Sequence, residues 1–106
     1  MVLLPKSKQP ITLTAEDMEA VLAYENPLFI AKCCKKFGVT ENIAKEKFAE
    51  LKKFLILCAV SKDAISPSKE MDEMWHEFIL FTRDYYNFCV TFFGKMIHHQ
   101  PEIITN

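Results

Sequence analysis

Glycine is scarce in this chain: only 2 of its 106 residues are glycine, Gly38 and Gly94. Sandwiches, barrels and nucleotide-binding α/β folds use more glycine in tight turns and phosphate-binding loops. The motifs G-x-G-x-x-G and G-x-x-x-x-G-K are also absent from the sequence, which excludes a phosphate cradle of that type. Each glycine follows a stretch with helical spacing, where glycine commonly ends a helix. These features predict an all-α fold.

The first half of the chain contains the start signals of three helices. Thr14 precedes an apolar stripe with helical spacing and is the expected N-cap of a short first helix. Asn26 is the expected N-cap of a second helix, with Pro27 at its first position and an end near Phe37. Thr40 begins a third, longer helix.

The third helix becomes apolar on all sides near its end, which predicts a central, buried segment, while Lys52 and Lys53 are assigned to its polar face. A fourth element, rich in aromatic residues, runs from about residue 68 to Phe93, and Thr82 is the best candidate for a break that divides it into two helices. Together these elements predict a compact bundle of four to five helices. The core is expected to contain Leu51, Phe54, Leu55, Cys58, Trp75, Ile79 and Phe88.

The chain is long enough for one core only. Residues 1–13 contain two prolines and no helical period, so we expect an extended N-terminal arm, followed by a single helical domain over residues 14–106.

Charge and hydropathy argue against two classes of partner. The formal net charge is −1, whereas a dedicated nucleic-acid binder usually carries a basic excess, so nucleic acid is an unlikely partner. No apolar run approaches the roughly 20 residues that a membrane helix needs. The apolar start of the chain ends at Pro5 and Lys6, before a secretory signal could form. We therefore expect a cytoplasmic protein whose four cysteines are reduced.

The most distinctive block contains all three histidines, the single tryptophan and the single arginine. The residues of the block that form a recognisable pattern are, in order, Pro67-Ser68, Met71-Asp72, Trp75-His76, Ile79-Leu80, Thr82, Tyr85, Cys89, Gly94, His98-His99 and Pro101. This pattern resembles that of small bacterial and phage-type relatives of the plant glycine-rich domain protein-like family. The resemblance covers about residues 50–101 and implies a helical fold without an established reaction.

Two features depart from that family's pattern: Phe78 stands where many relatives have a second histidine, and the glycine-rich part is absent. Within the block, a rigid structural corner is expected at Trp75, Thr82, Arg83, Tyr85, Gly94 and Pro101, with Arg83 as an ion-pair anchor to Asp72 or Glu73.

The same block suggests a metal site. Asp72 and His76 share a helical face at spacing i, i+4, and Cys89 with His98 or His99 would complete a zinc ligand set. On one straight helix, His76 and Cys89 would lie about 20 Å apart, so a shared site requires a break near Thr82 and a tail that folds back after Gly94. The alternative is that the histidines are buried structural side chains. No cofactor is expected other than this zinc.

A second chemical hypothesis joins Cys89 as nucleophile to His76 as base, in a small hydrolase or transferase. The apolar surroundings of Cys89 in the sequence are more typical of an inert buried thiol. Catalysis is therefore the weaker hypothesis, and the leading expectation is a protein that is not an enzyme.

The leading hypothesis is a non-catalytic helical module that binds or regulates a protein partner, such as an inhibitor or accessory protein of a mobile element or phage. A bundle this small is not expected to bury all the rings between Trp75 and Phe93, and exposed apolar patches mark partner surfaces. A homo-oligomer is compatible with the same argument.

Overall fold

A computed structural model describes residues 10–99 as five α-helices and no strand. They are α1 (Ala15–Ala23), α2 (Pro27–Phe37), α3 (Glu41–Val60), α4 (Lys69–Leu80) and α5 (Thr82–Phe93). The predicted all-α bundle is confirmed. Residues 10–13 are not helical, and the rest of the predicted arm lies outside the described residues. None of these five helices combines the length and the apolar character needed to cross a membrane.

The helix ends follow from the local sequence. Thr14 forms a capping box with Asp17, and the Asn26 side chain accepts from the main-chain N–H of Phe29. These bonds satisfy N–H groups that have no partner within the helix. At the other end, Gly38 (φ 66°) and Gly94 (φ 70°) cap α2 and α5 in the left-handed conformation, which costs glycine little. The only two glycines therefore stand where the backbone requires them.

The break in the aromatic segment lies at Phe81, one residue before its expected position. Phe81 (φ −82°, ψ 66°) ends α4 and precedes α5, whose first residue is Thr82, and no side chain caps α5. The Phe81 ring packs at 5.4 Å on the ring of Phe29 in α2. The break therefore coincides with a tertiary contact of Phe81, and it lacks the polar N-cap that the sequence predicted at Thr82.

The core forms where α3 packs against α1, α2 and α4, with α5 closing on α1 and α4. Phe78 is fully buried, and its ring centroid lies 4.9–5.4 Å from four other rings, those of Phe29, Phe48, Tyr85 and Phe88. Of the residues expected in the core, Ile79 and Cys58 are half-buried and the others are buried: Leu51, Phe54, Leu55, Trp75 and Phe88.

Most of the aromatic rings of α4 and α5 face inward. Tyr86 is the exposed one, and Phe81 and Phe92 are half-buried. The aromatic excess therefore fills the core instead of forming the exposed patch that composition suggested.

Lys52 is buried, contrary to the expectation that it lies on the polar face of α3. Its Nζ donates to the carbonyl oxygens of Leu22 and Tyr24, each at 2.7 Å, and lies 4.9 Å from the centre of the Phe48 ring. A cation at the C-terminal end of a helix satisfies carbonyls that lack partners and interacts favourably with the helix dipole. Burial lowers the pKa of Lys52. Lys52 thus ties the end of α1 to α3.

A second polar link joins α2 to α5. Besides capping α2, Asn26 donates from Nδ2 to the carboxylate of Asp84 at 2.9 Å and to the hydroxyl of Tyr24 at 3.1 Å. Because Asn26 is itself buried, this small network fixes the N-terminal ends of the two helices relative to each other.

Candidate functional site

The chain turns back after Gly94, as the metal hypothesis required. Tyr85 holds the returning segment: its hydroxyl accepts from the indole N–H of Trp75 at 3.0 Å and donates to the main-chain carbonyl of Ile97. Ile97 is buried. Burial raises the pKa of Tyr85 above its ordinary value, which already lies well above neutral pH. Residues 94–99 are thus fastened to both α4 and α5.

His99 makes the second attachment of this segment. Its Nε2 contacts the Oδ1 of Asp72 on α4, and its ring centroid lies 4.4 Å from that of Trp75. Trp75 in turn packs edge-on against Phe54 of α3 at 5.3 Å. The returning segment therefore rests on the indole, which is itself anchored in the core.

A groove of about 1190 Å³ runs beside this segment, and we call it the histidine groove. It is lined by the C-terminal end of α2, the end of α3, the loop between α3 and α4, one face of α4 and the returning segment. Its lining residues are Lys36, Phe37, Cys58, Ser61–Pro67, Lys69, Asp72, Glu73, Trp75, His76, Glu77 and Met96–His99.

The structure brings four of the five predicted metal ligands to this groove and leaves one out. Asp72, His76, His98 and His99 line it. Cys89 does not line it and is buried, where its thiol interacts with the main chain of Ile97 and with the hydroxyl of Tyr85. Among residues 10–99, no three His, Cys, Asp or Glu side chains are arranged to hold a metal ion. The zinc site remains a prediction.

The structure places Cys89 and His76, the two groups of the thiol-catalyst hypothesis, in different surroundings. Cys89 is fully buried, and burial raises the pKa of its thiol. His76 is exposed. Low-pKa, accessible thiolates are the reactive ones, so Cys89 has the character of an inert core cysteine.

All four cysteines are free thiols, and they differ in how deeply they are buried. Burial and the nearby charge of Glu77 raise the pKa of Cys33 to about 12. Cys58 is half-buried and lines the groove, where the sequence placed it only in the core.

An ion pair that sequence reasoning missed also lies at the groove. Glu77 is buried, and its carboxylate lies 3.5 Å from the Nζ of Lys36 on α2. Both residues line the groove. The pair joins two helices that are far apart in sequence, so spacing alone gave no signal for it.

The expected structural corner forms in part. Trp75, Tyr85 and Gly94 build it, as described above. Thr82 and Arg83 are exposed on α5. Arg83 makes no ion pair with Asp72 or Glu73 within the described part of the chain. Pro101 lies outside the described residues.

A model of the UCP032817-like family matches residues 17–106, which is most of the chain. The chain belongs to the UCP032817-like family. The assignment to the glycine-rich domain protein-like family is therefore wrong. No curated protein matches the chain, and no solved structure does. The UCP032817-like family is uncharacterised, so membership assigns no activity.

The correction changes how Phe78 is interpreted. In the comparison with the glycine-rich domain protein-like family, Phe78 stood at a position where many relatives have a histidine. In this UCP032817-like chain Phe78 is a fully buried ring at the centre of the aromatic core, and its position inside the bundle is incompatible with a ligand role at the groove.

Proposed function

We propose that the protein is a non-catalytic binding module with a regulatory or accessory role, and that its histidine groove takes an extended segment of a partner protein. The observation that carries this proposal is the groove itself, about 1190 Å³ in volume and lined by side chains of both charge signs together with the apolar side chains of Phe37, Ile65 and Met96. Sites of this kind combine an apolar contact with a few polar groups that fix orientation.

The lining supports a peptide occupant. Lys62 and Lys69 supply exposed cations, and Asp63 and Glu73 supply exposed anions. The loop that carries Lys62 and Asp63, and the returning segment, are both non-helical. Non-helical main chain offers N–H and C=O groups that can pair with an extended peptide.

The cysteines favour binding over thiol chemistry. Cys89 and Cys33 are buried with raised thiol pKa values and do not line the groove. Cys58, which does line it, is half-buried and is engaged with other groups of the chain. An accessible nucleophile beside a base is the first requirement of that type of catalysis.

Photo-crosslinking in the cells of origin tests the proposal. A benzophenone amino acid replaces Lys69 at the groove, and in a matched variant it replaces Tyr86, which is exposed on α5 and does not line the groove. We expect one protein to crosslink from position 69 and not from position 86. The same protein should be retained by the immobilised wild type, and its retention should fall at least tenfold in Lys62→Glu/Lys69→Glu.

The control for charge is Lys45→Glu/Lys53→Glu, which reverses two exposed lysines of α3 away from the groove. This control should retain the partner. Equal crosslinking from positions 69 and 86, equal retention by both charge variants, or a second copy of this chain as the species captured at position 69 would contradict the proposal.

Zinc binding is the second candidate function, supported by the contact of His99 with Asp72 and by His76 one helical turn from Asp72 on the same groove. It predicts about one equivalent of zinc in protein purified without added metal. Elemental mass spectrometry on wild type and His76→Ala measures this directly. Zinc at that level, lost in the variant, would favour this candidate over the peptide site.

A further inference from the structure

Two exposed helical stripes, on α1 and on α2, remain outside the groove and outside the core. On α1 the stripe consists of Glu16, Glu19, Ala20 and Ala23, all exposed, on the side opposite Met18 and Val21, which contact the core. On α2 the stripe consists of Leu28, Ala31, Lys32 and Lys35, also all exposed, on the side opposite the buried Phe29 and Cys33. Both stripes have the spacing i, i+3, i+4, i+7, which makes one continuous face on a helix.

The two stripes carry opposite charge. Helix α1 contains Glu16, Asp17 and Glu19 and no basic residue, whereas α2 contains three lysines and no acidic residue. Within residues 10–99, the charges of the stripes have no ion-pair partner: the pairs formed there involve neither Glu16, Glu19, Lys32 nor Lys35. Leu28 is 75% exposed, so the basic stripe also presents a large apolar side chain.

The order of residues along the stripes is complementary in one direction. When α1 of one molecule lies antiparallel on α2 of another, Glu16 faces Lys35 and Glu19 faces Lys32. In the same register, Ala23 faces Leu28 and Ala20 faces Ala31. The two charged pairs meet at one end, and the small residues at the other end let the helices approach closely enough for Leu28 to be covered.

We propose that this protein forms a two-fold dimer in which α1 of each copy packs antiparallel on α2 of the other. A two-fold arrangement uses the acidic and basic stripes of both copies, so neither stripe is left uncovered. Because the helices are short, 9 and 11 residues, and half of the contact is ionic, the dimer depends on protein concentration and weakens as salt screens the charges. The dimer does not rest on the histidine groove, because the α2 residues that line the groove, Lys36 and Phe37, do not belong to the basic stripe.

Sedimentation velocity at low ionic strength tests the dimer by charge reversal. The wild type is expected to shift from monomer to dimer as its concentration rises, and to return to monomer in about 1 M salt. Glu16→Lys/Glu19→Lys makes both stripes basic, and Lys32→Glu/Lys35→Glu makes both stripes acidic, so each variant alone is expected to be monomeric.

An equimolar mixture of these two variants provides the decisive arm. The basic variant presents lysines on both helices and the acidic variant presents glutamates on both, so the mixture is expected to form a heterodimer. The chain carrying all four substitutions restores complementarity and is expected to dimerise with itself. Lys45→Glu/Lys53→Glu, on α3, should dimerise like the wild type, and circular dichroism checks that each variant is folded.

A wild type that stays monomeric at every concentration in low salt would overturn the dimer. So would dimers of both single-face variants, or a mixture in which no heterodimer forms although both variants are helical. The photo-crosslinking experiment tests the groove, whereas sedimentation tests the α1 and α2 stripes. Failure of one proposal therefore leaves the other unaffected.

Discussion

Phe78→Ala is expected to lower the free energy of unfolding by about 3–5 kcal/mol. Phe78 is fully buried on α4. Its ring contacts four rings from α2, α3 and α5, those of Phe29, Phe48, Tyr85 and Phe88. Truncation removes the apolar burial and leaves a cavity between helices that cannot all collapse inward. For a domain of this size, such a loss is a large fraction of the total stability.

Urea unfolding followed by circular dichroism at 222 nm measures this effect. Leu80→Ala is the matched control, because Leu80 lies on the same helix and is 56% exposed. The control is expected to stay within about 0.5 kcal/mol of wild type. If Phe78→Ala cost no more than Leu80→Ala, the ring cluster would not be the centre of the core.

Tyr85→Phe is expected to lower the free energy of unfolding by about 2 kcal/mol, although only one oxygen is removed. The substitution leaves the indole N–H of Trp75 and the carbonyl of Ile97 without their partner. A buried polar group left unsatisfied costs about 1–3 kcal/mol. Because the ring itself stays in place, the loss reports on the hydrogen bonds and not on packing.

The neighbouring Tyr86→Phe removes the same atom from an exposed ring and is expected to change stability by less than about 0.5 kcal/mol. Differential scanning calorimetry on the two variants separates the cases. Equal melting temperatures for Tyr85→Phe and Tyr86→Phe would show that the Trp75, Tyr85 and Ile97 contacts do not hold the returning segment.

The helix ends could be predicted from the sequence because their causes are local. The caps at Thr14, Asn26 and Thr40 each bond to a main-chain N–H three residues ahead, and the two glycines adopt positive φ where a helix ends. Such contacts lie within a few residues, so type and spacing suffice to find them.

Contacts between helices could not be predicted from residue type and local spacing. Lys52 looks like a surface residue by its type, and only the approach of α1 to α3 brings the carbonyls of Leu22 and Tyr24 to its Nζ. Arg83 shows the reverse case: acidic residues nearby in sequence suggested a pair, but α5 leaves Arg83 exposed.

The sequence predicted the part of the candidate site on α4 and the return of the tail with His98 and His99, but not the parts formed by α2 and by the loop after α3. The i, i+4 spacing of Asp72 and His76 is a local property, and both residues line the groove. Cys89 lies only five residues before Gly94, yet it points into the core, because the buried face of α5 includes Tyr85 and Phe88 as well. The contribution of Lys36 and of the loop after α3 depends on tertiary packing, which one sequence does not reveal.

Trp75 offers the most direct test of the central structural claim, that residues 94–99 are fastened over α4 and complete the histidine groove. It is the single tryptophan and is 4% exposed, and its ring lies 4.4 Å from that of His99. Acrylamide quenching of its fluorescence therefore measures how well the segment covers it.

The measurement compares wild type with His99→Ala and with His98→Ala, whose imidazole is exposed. We expect weak quenching in wild type, clearly stronger quenching in His99→Ala because the contact with Asp72 and the cover over the indole are lost, and no change in His98→Ala. Quenching in His99→Ala that equals the wild-type value would contradict the fastened segment and, with it, this wall of the groove.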